Sequence, residues 1–495
     1  MKLFTFWIAS FNNVNNHINY NMRKKTKIVA TISDRNCNAK LIEDLFNNGM
    51  NVVRLNTAHQ DFEGSLKVIN DVRKVSDKIA ILVDTKGPEI RITAVDKNFE
   101  VKKNDLIKIK AGPEQISSRE CIYITYKNFV HDLSIDSKIL IDDGSIELTV
   151  VEKKDDYLVC EVENEGIIEG KKSINIPCTQ INLPALSQKD IEYINFAIDQ
   201  DLDFIAHSFV RKKEDIIAVK SILDSKNSKI KIIAKIENQE GVDNLNDILD
   251  YAYGVMIARG DLAIEIPAKS IPRVQKQIID TCIKRRKPVI VATQMLHTMI
   301  TNPRPTRAEI SDVANAVYDG TDAIMLSGET AYGRYPVESV KIMSDIAKDI
   351  ESNTNSFREL PPLVISTQTA AFLVKSAVKA GNELPVKAIV TDTTSGRTVR
   401  ALAAFRGKNT IYAQCYSKQT MRKLVLSYGV YVDYMEPQKT SHEFLQEALK
   451  KYSKKEIFSN DNLILVIAGN FNRSQGANFI EIGTVKDLME FEMIV

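Results

Sequence analysis

The feature that most constrains this chain is an alternation of short β-rich runs with stretches of helical periodicity. That rhythm marks βα units around a parallel sheet. The runs fall at 27–32 (KIVATI), 51–55 (NVVRL), 79–83 (IAILV), 203–206 (DFIA), 231–236 (KIIAKI), 254–258 (GVMIA), 288–292 (PVIVA) and 322–326 (DAIML). Amphipathic helices are expected near 39–48, 63–76, 187–199, 213–224, 269–286 and 306–319. Eight such units closing on themselves make a TIM (β/α)8 barrel, whose active site lies at the C-terminal ends of the strands.

One interval breaks the rhythm. Roughly 100 residues separate the third run from the fourth, and they read as β segments at 106–110, 121–125, 138–141, 146–151 and 157–163. A small β-barrel or sandwich inserted in a barrel loop is expected there, bounded by Gly87-Pro88 and Leu183-Pro184. Insertions at this face commonly act as lids. After Asp349 the pattern changes again. Helices at 366–380, 396–405, 417–428 and 440–453 alternate with strands at 387–391, 410–413, 429–433 and 462–468, an open α/β domain. The expected organisation is a barrel from 22–87 and 182–350, a lid over 88–181 and a C-terminal domain over 351–495. A chain of 495 residues has room for about three domains. Lys2 and Leu3–Phe11 imitate a signal peptide faintly, but the apolar stretch is short and Asn-rich sequence follows it. Residues 1–21 therefore read as an extension or an upstream start, with the working chain opening at Met22.

Composition excludes several classes. Lys+Arg exceed Asp+Glu by only 66 − 64 = 2, which argues against a nucleic-acid-binding stripe. No run approaches the 18 or so apolar residues of a membrane span. Six cysteines (37, 121, 160, 178, 282 and 415) are scattered without a C-x-x-C pair, so no zinc or redox site is expected and a reducing cytoplasm fits.

Charge gathers at the strand ends. Arg54, Asn56 and His59 follow the second run; Asp84, Thr85 and Lys86 the third; His207, Ser208 and Phe209 the fourth. Lys235 and Glu237 end the fifth, Arg259, Gly260 and Asp261 the sixth, Thr293 and Gln294 the seventh, and Ser327-Gly328-Glu329-Thr330 the eighth. Glu237 and Asp261 are hard oxygen ligands with no His or Cys beside them, which suits Mg²⁺ or Mn²⁺ and disfavours zinc. The plainer reading has them capping a turn or pairing with Lys235 and Arg259. Lys235 stands two residues before Glu237 on an alternating strand, so both side chains face the barrel mouth. A lysine beside a metal serves phosphoryl transfer or enolate chemistry, because both build negative charge on oxygen. Neither a G-x-x-x-x-G-K-[ST] loop nor a G-x-G-x-x-G fingerprint is present.

These residues carry a resemblance. TKIVATI, GMNVVRLNTAH, DTKGPEIR, LPALSQKD, KIIAKIENQEG, MIARGDLAIEIP, VATQML and PRPTRAEISDVANAVYDGTDAIMLSGETAYGRYPVESV resemble, in order, the motifs of pyruvate kinases. The resemblance runs over essentially the whole chain after Met22. It implies the same three-part architecture, and phosphoryl transfer between phosphoenolpyruvate and ADP, giving pyruvate and ATP, the final step of glycolysis. By motif position, Glu237 and Asp261 resemble the ligands of the divalent metal, and Lys235 and Arg54 the cations on the phosphoryl group in flight. Thr293, with the backbone at Gly260 and Asp261, resembles the carboxylate pocket and a proton relay to the enolate. Asn56, His59, Arg91 and Lys172 resemble nucleotide contacts. A K⁺ site is implied at Asn56, Asp84 and the Thr85 carbonyl, with Ala58 at the fourth position, where the family usually has Ser. Glu89 resembles the K⁺-dependent form of its motif. TISDRNCN and Ala263 depart from the family pattern without touching a mechanistic charge.

Thr393-Thr394-Ser395-Gly396-Arg397-Thr398 lies between a strand and a helix start. Hydroxyls and free N–H groups there suit a phosphate, and the resemblance implies an effector pocket for a phosphorylated sugar or nucleotide at Thr393, Thr394, Ser395 and Arg397. A plain N-cap turn is the alternative. The loop Gly469–Gly476 departs from the family's effector loops. His207 reads as structural, and Lys212-Lys213, Arg285–Lys287 and Lys450–Lys455 as solvated helix ends. A homotetramer is implied by the family alone. Two other functions share parts of these residues. A Mg²⁺-dependent pyruvate-enolate lyase or aldolase would use Glu237, Asp261 and Lys235 without the lid; a sugar-phosphate-binding regulator would use only the C-terminal domain.

Overall fold

Strands buried at every position need cover on both faces, and a closed parallel barrel ringed by helices supplies it. Lys27–Thr31, Ala80–Asp84, Phe204–His207, Gly254–Ala258, Val289–Ala292 and Ala323–Leu326 are buried throughout. With Val52–Asn56 and Lys231–Ile236 they form one closed barrel of parallel strands. Lys27–Thr31 closes the ring by pairing on one side with Ala323–Leu326 and on the other with Val52–Asn56. The structure is a computed structural model that describes residues 23–177, 179, 181, 183–354, 357–360, 367–469 and 476–490. The expected extension over 1–21, the start at Met22, Cys178, the first residue of the helix expected at 366–380 and the interior of the Gly469–Gly476 loop lie outside the described residues.

The barrel helices follow their caps. Ser187 and Thr306 each close a capping box with the acidic residue at the third helical position, starting Gln188–Asp199 and Arg307–Tyr318. The helix expected at 269–286 divides into a short 3₁₀ turn, Ala268–Ser270, and Ile271–Lys284, because Pro272 has no N–H to donate and fits only a first helical turn. Five further barrel α-helices among the described residues answer to no expected helix: Gln239–Asp243, Leu245–Tyr251, Arg259–Glu265, Gly328–Ala331 and Pro336–Asn353. The first four are too short to show a helical period.

The lid leaves after Ala80–Asp84 and returns before Phe204–His207. Its seven-stranded sheet runs Ile90–Arg91, Ser173–Asn175, Lys138–Ile141, Ile146–Lys153, Leu158–Val162, Leu106–Ala111, Cys121–Ile124. A bridge between Ile92 and Ile124 brings its two edges together, so the sheet is nearly a barrel. It has a core of its own that includes Ile109, Ile122, Leu148 and Val150.

In the C-terminal domain four parallel strands carry an antiparallel edge strand, Ala477–Thr484, in the order Val430–Tyr434, Thr410–Cys415, Ala388–Thr393, Leu463–Gly469, Ala477–Thr484. The edge strand was not expected. The helix expected at 417–428 is only Lys418–Leu424, because Asp322 of the barrel accepts the Tyr428 N–H at 2.9 Å and draws the chain out of the helix. One face of this sheet joins the barrel's core, and the other packs Tyr412, Phe444, Tyr452 and Phe458. The domain sits under the barrel floor, where Arg406 pairs with Asp322 and Arg422 with Asp203. Arg285–Lys287 is not a solvated helix end: Arg286 lies 5.7 Å from the Phe405 ring centre, and Lys287 Nζ donates to the Ala252 carbonyl at 2.7 Å. Among the described residues no helix is long and apolar enough to cross a membrane.

Candidate active site

Parallel register stacks the strand ends at one level: Asn56 pairs with Asp84, Ala206 with Asp84, and Lys235 with Met256. This brings Arg54, Asp84, Lys235 and Glu237 together, all nearly buried. Arg54 Nε donates to Asp84 Oδ2 at 2.6 Å, and Arg54 Nη1 to Thr31 Oγ1 at 3.0 Å. Lys235 Nζ lies 3.1 Å from Asp84 Oδ1 and 2.9 Å from Glu237 Oε1, and donates to Ser208 Oγ at 2.7 Å. Asp84 is thus shared by two cations. Burial works against its charge, but Arg54 and Lys235 hold its carboxyl below the usual range. Burial also opposes the charge on Lys235, and Asp84 and Glu237 outweigh it, keeping the ammonium above the usual lysine range.

Glu237 is the group left unfinished. Its Oε2 accepts the Phe209 N–H at 2.6 Å. Its Oε1 is buried and has the Lys235 ammonium 2.9 Å away as an ion-pair partner, with no further partner among the described residues. Burial, opposed by Lys235 and reinforced by the Asp261 carboxylate, pushes its carboxyl above the usual range. A carboxylate so placed wants a further cation. Asp261 stands in the first turn of Arg259–Glu265 and lines the cleft beneath the lid. No group of three or more His, Cys, Asp or Glu side chains is placed to hold a metal among the described residues. Two carboxylates with substrate oxygens and water are what Mg²⁺ ordinarily takes, so Glu237 and Asp261 fit it.

Thr293 stands apart from this cluster but on the same face. Its φ of 68° and that of Gln294, 54°, lie in the left-handed region, which a β-branched residue such as Thr293 adopts at a cost. Arg259 holds the turn: Nη2 donates to the Thr293 carbonyl at 2.7 Å, while the guanidinium grips Asp312 through two bonds of 2.7 Å. Arg259 therefore pairs with Asp312 and not with the neighbouring acids. Asp312 carried no signal in the sequence, where it reads as an ordinary helix-surface acid. Thr293 Oγ1 accepts the Gly260 N–H at 2.8 Å and donates to the Ala292 carbonyl at 2.7 Å.

A cleft of about 760 Å³ opens between this mouth and the lid. His59, Phe209, Arg211 and Asp261 line it from the barrel, and Arg91, Lys172 and Asn175 from the lid. Of the expected nucleotide contacts, His59, Arg91 and Lys172 share the cleft, while Asn56 lies deeper, its Oδ1 accepting the Ala58 N–H at 3.1 Å. Arg91 is held by Glu89 at 2.6 Å, and Lys172 by Asp142 at 3.0 Å and Glu169 at 3.1 Å. Of the expected K⁺ oxygens, Asn56 and Asp84 are side by side across adjacent strands, and the Thr85 carbonyl accepts Ser208 Oγ at 2.6 Å. Ala58 offers no side-chain oxygen. The expected effector residues lie elsewhere, in the C-terminal domain. Gly396, with φ of 77°, turns the chain there, its N–H donating to Thr393 Oγ1 at 2.8 Å. The Thr394 carbonyl accepts Thr420 Oγ1 at 2.9 Å, and Arg397 Nε donates to Ser395 Oγ at 3.3 Å.

The family model for the pyruvate kinase barrel domain matches residues 23–340, and that for the pyruvate kinase alpha/beta domain matches 372–483. The chain belongs to the pyruvate kinase family. A pyruvate kinase of Borreliella burgdorferi is 46% identical over 472 residues, covering 94% of this chain and 98% of the relative. One of Bacillus licheniformis is 41% identical over 482 residues, covering 94% and 81%. The crystal structure of a pyruvate kinase from Cryptosporidium parvum superposes with a TM-score of 0.87 at 34% identity, covering 93% of this chain and 96% of that one. The pyruvate kinase architecture of barrel, barrel-like lid sheet and C-terminal α/β domain is the one observed. Neither the lyase nor the regulator reading is favoured by any of these likenesses.

Proposed function

We propose that this chain transfers the phosphoryl group of phosphoenolpyruvate to ADP, giving pyruvate and ATP, at the barrel mouth. The observation that carries the reading is Asp84 shared between Arg54 and Lys235 beside an incompletely paired Glu237. Phosphoryl transfer asks a protein for positioning and charge neutralisation more than for covalent chemistry. Lys235 and Arg54 meet the charge on the phosphoryl oxygens as the group leaves the enol oxygen. The Thr293 hydroxyl and the backbone at Gly260 and Asp261 hold the substrate carboxylate, and Thr293 Oγ1 relays a proton, taking one up from water as it passes its own to the methylene carbon, so that the enolate becomes pyruvate. Gly260's N–H, which donates to Thr293 in this structure, turns to the carboxylate when substrate arrives. In the opposite direction the acceptor is an enol oxygen, which makes the enzyme a phosphotransferase to an alcohol-type group.

Glu237 and Asp261 would hold Mg²⁺ or Mn²⁺, which when bound neutralises oxygen charge on enolpyruvate. Asn56, Asp84 and the Thr85 carbonyl would hold K⁺, with Ala58 contributing no ligand. Asn56, His59, Arg91 and Lys172 would contact the nucleotide. The domain bounds 22–87 with 182–350, 88–181 and 351–495, a cytoplasmic homotetramer, and a phosphorylated effector at Thr393, Thr394, Ser395 and Arg397 complete the proposal. Incubation with phosphoenolpyruvate, ADP and Mg²⁺ should yield pyruvate and ATP in equal amounts. Pyruvate with inorganic phosphate and no ATP would mean hydrolysis in place of transfer, and that result or no turnover by a folded sample would overturn the reading.

A further inference from the structure

The lid joins the barrel through two chain crossings, and one barrel side chain holds each. On the outward crossing, Asp190 Oδ1 accepts the backbone N–H groups of Lys86 at 3.1 Å and Gly87 at 3.3 Å. On the return, Arg211 donates from Nη1 to the Ile181 carbonyl at 2.7 Å and from Nη2 to the Leu183 carbonyl at 2.9 Å. Asp215 fixes Arg211 in turn, with Oδ1 3.3 Å from Nη2 and Oδ2 accepting the Arg211 N–H at 2.9 Å. An anion grips donors on one arm, and a cation grips acceptors on the other. The rigid guanidinium fork suits two carbonyls at once, as a lysine ammonium does not. The side chains of Arg211 and Asp215 are only 16% and 4% exposed, so little water competes for these charge-assisted bonds.

The same short segment reaches the chemistry. A Cβ at Gly87, whose φ is +74°, would come within 2.8 Å of the Phe209 ring. Phe209, itself at φ 54°, donates its N–H to Glu237, and Ser208 next to it accepts from Lys235. Residues 208–211 therefore touch Lys235, Glu237, the outward crossing and the return crossing in one turn of chain.

We infer that Arg211 and Asp190 are positioning residues for the transfer: they set the angle at which the lid presents Arg91 and Lys172 over the cleft, and residues 208–211 tie that angle to Lys235 and Glu237. The inference rests on the proposed nucleotide contacts of Arg91 and Lys172. Asp190 also accepts from Ser187 and closes the cap of its own helix, so Arg211 is the cleaner site to test.

The experiment uses the full chain as Arg211→Gln, Arg211→Lys and Arg91→Ala beside the wild type. ADP and phosphoenolpyruvate are varied separately, and hydrogen exchange is followed at the two crossings. Arg211→Gln should speed exchange over 86–92 and 183–187 and raise KM for ADP about tenfold, more than it lowers kcat, with Arg211→Lys between it and wild type. A merely structural arginine would lower the folded fraction, and so kcat alone. Unchanged exchange at the crossings in Arg211→Gln overturns the clamp, as does a loss confined to kcat. Should Arg211→Gln not fold, Arg211→Lys decides by the same readouts. Arg91→Ala tests the underlying reading separately: an unchanged KM for ADP there overturns the nucleotide role of Arg91, while the exchange result still decides the clamp.

Discussion

Two sets of buried ion pairs stand at opposite ends of this barrel, and they differ in how completely they are satisfied. At the floor, Asp322 accepts Arg406 Nη2 at 2.8 Å, the Val289 N–H at 3.1 Å and the Tyr428 N–H at 2.9 Å. Asp203 likewise accepts Arg422 Nε at 2.5 Å, the Ile81 N–H at 2.9 Å and Arg73 Nη2 at 3.3 Å. Both oxygens of each acid are engaged, and each ties the C-terminal domain to a strand start. At the mouth, Glu237 Oε1 has no partner beyond the Lys235 ammonium among the described residues, and Thr293 sits on strained backbone. Fully paired buried charges specify a docking geometry, whereas under-paired ones in a cleft are arranged for something that arrives. In this fold the floor charges dock the C-terminal domain, and the mouth charges face the cleft beneath the lid.

That contrast can be broken by exchanging roles. Lys235→Met should cut turnover at least about a thousandfold, as loss of charge stabilisation at a reacting oxygen does, while the fold persists; coupled kinetics beside circular dichroism reads both. Asp322→Ala should behave in the opposite way, costing about 3–5 kcal/mol of stability in urea unfolding because the buried Arg406 loses the carboxylate that opposes its charge. Its kcat per folded chain should stay near wild type. A severe kcat loss without destabilisation in Asp322→Ala would erase the distinction.

A subtler test lies beside the mouth. His207 is fully buried, and burial, against the pull of Asp215 and Asp190, lowers its pKa to about 4. An unfolded imidazole takes up its proton below a pH of about 6.5, so stability should fall as pH drops from there to about 4 and level off below. The shift corresponds to roughly 3 kcal/mol. His207→Asn should flatten that limb in a series of unfolding curves, and an unaltered acid limb would count against a neutral buried imidazole. The smallest effect concerns K⁺. Ala58→Ser should lower the K⁺ concentration for half-activation about fivefold by adding an oxygen ligand, and replacing K⁺ by a tetraalkylammonium ion should depress wild-type turnover.

The barrel was legible because continuous apolar runs such as 254–258 have few other homes, and the mouth because Lys235 and Glu237 sit at a strand end with period-two spacing. Other parts depended on contacts distant in sequence. Ile90–Arg91 and Gly166–Ile168 are too short to alternate, and they exist because partner strands pair with them. The helix at Lys418 stops early because an aspartate about a hundred residues upstream binds its exit. Asp312 and Arg211 look like ordinary surface charges in one dimension. Their roles, gripping Arg259 behind Thr293 and gripping the lid's return crossing, arise only when the chain closes.

The claim that the mouth is completed by a cation is tested most directly by titrating Mn²⁺ into wild type and Glu237→Gln, with phosphoenolpyruvate present, and counting bound Mn²⁺ by electron paramagnetic resonance. The account predicts one tightly bound ion per wild-type chain and its loss, or a weakening of at least about tenfold, in Glu237→Gln. Equal Mn²⁺ binding by both proteins would contradict it.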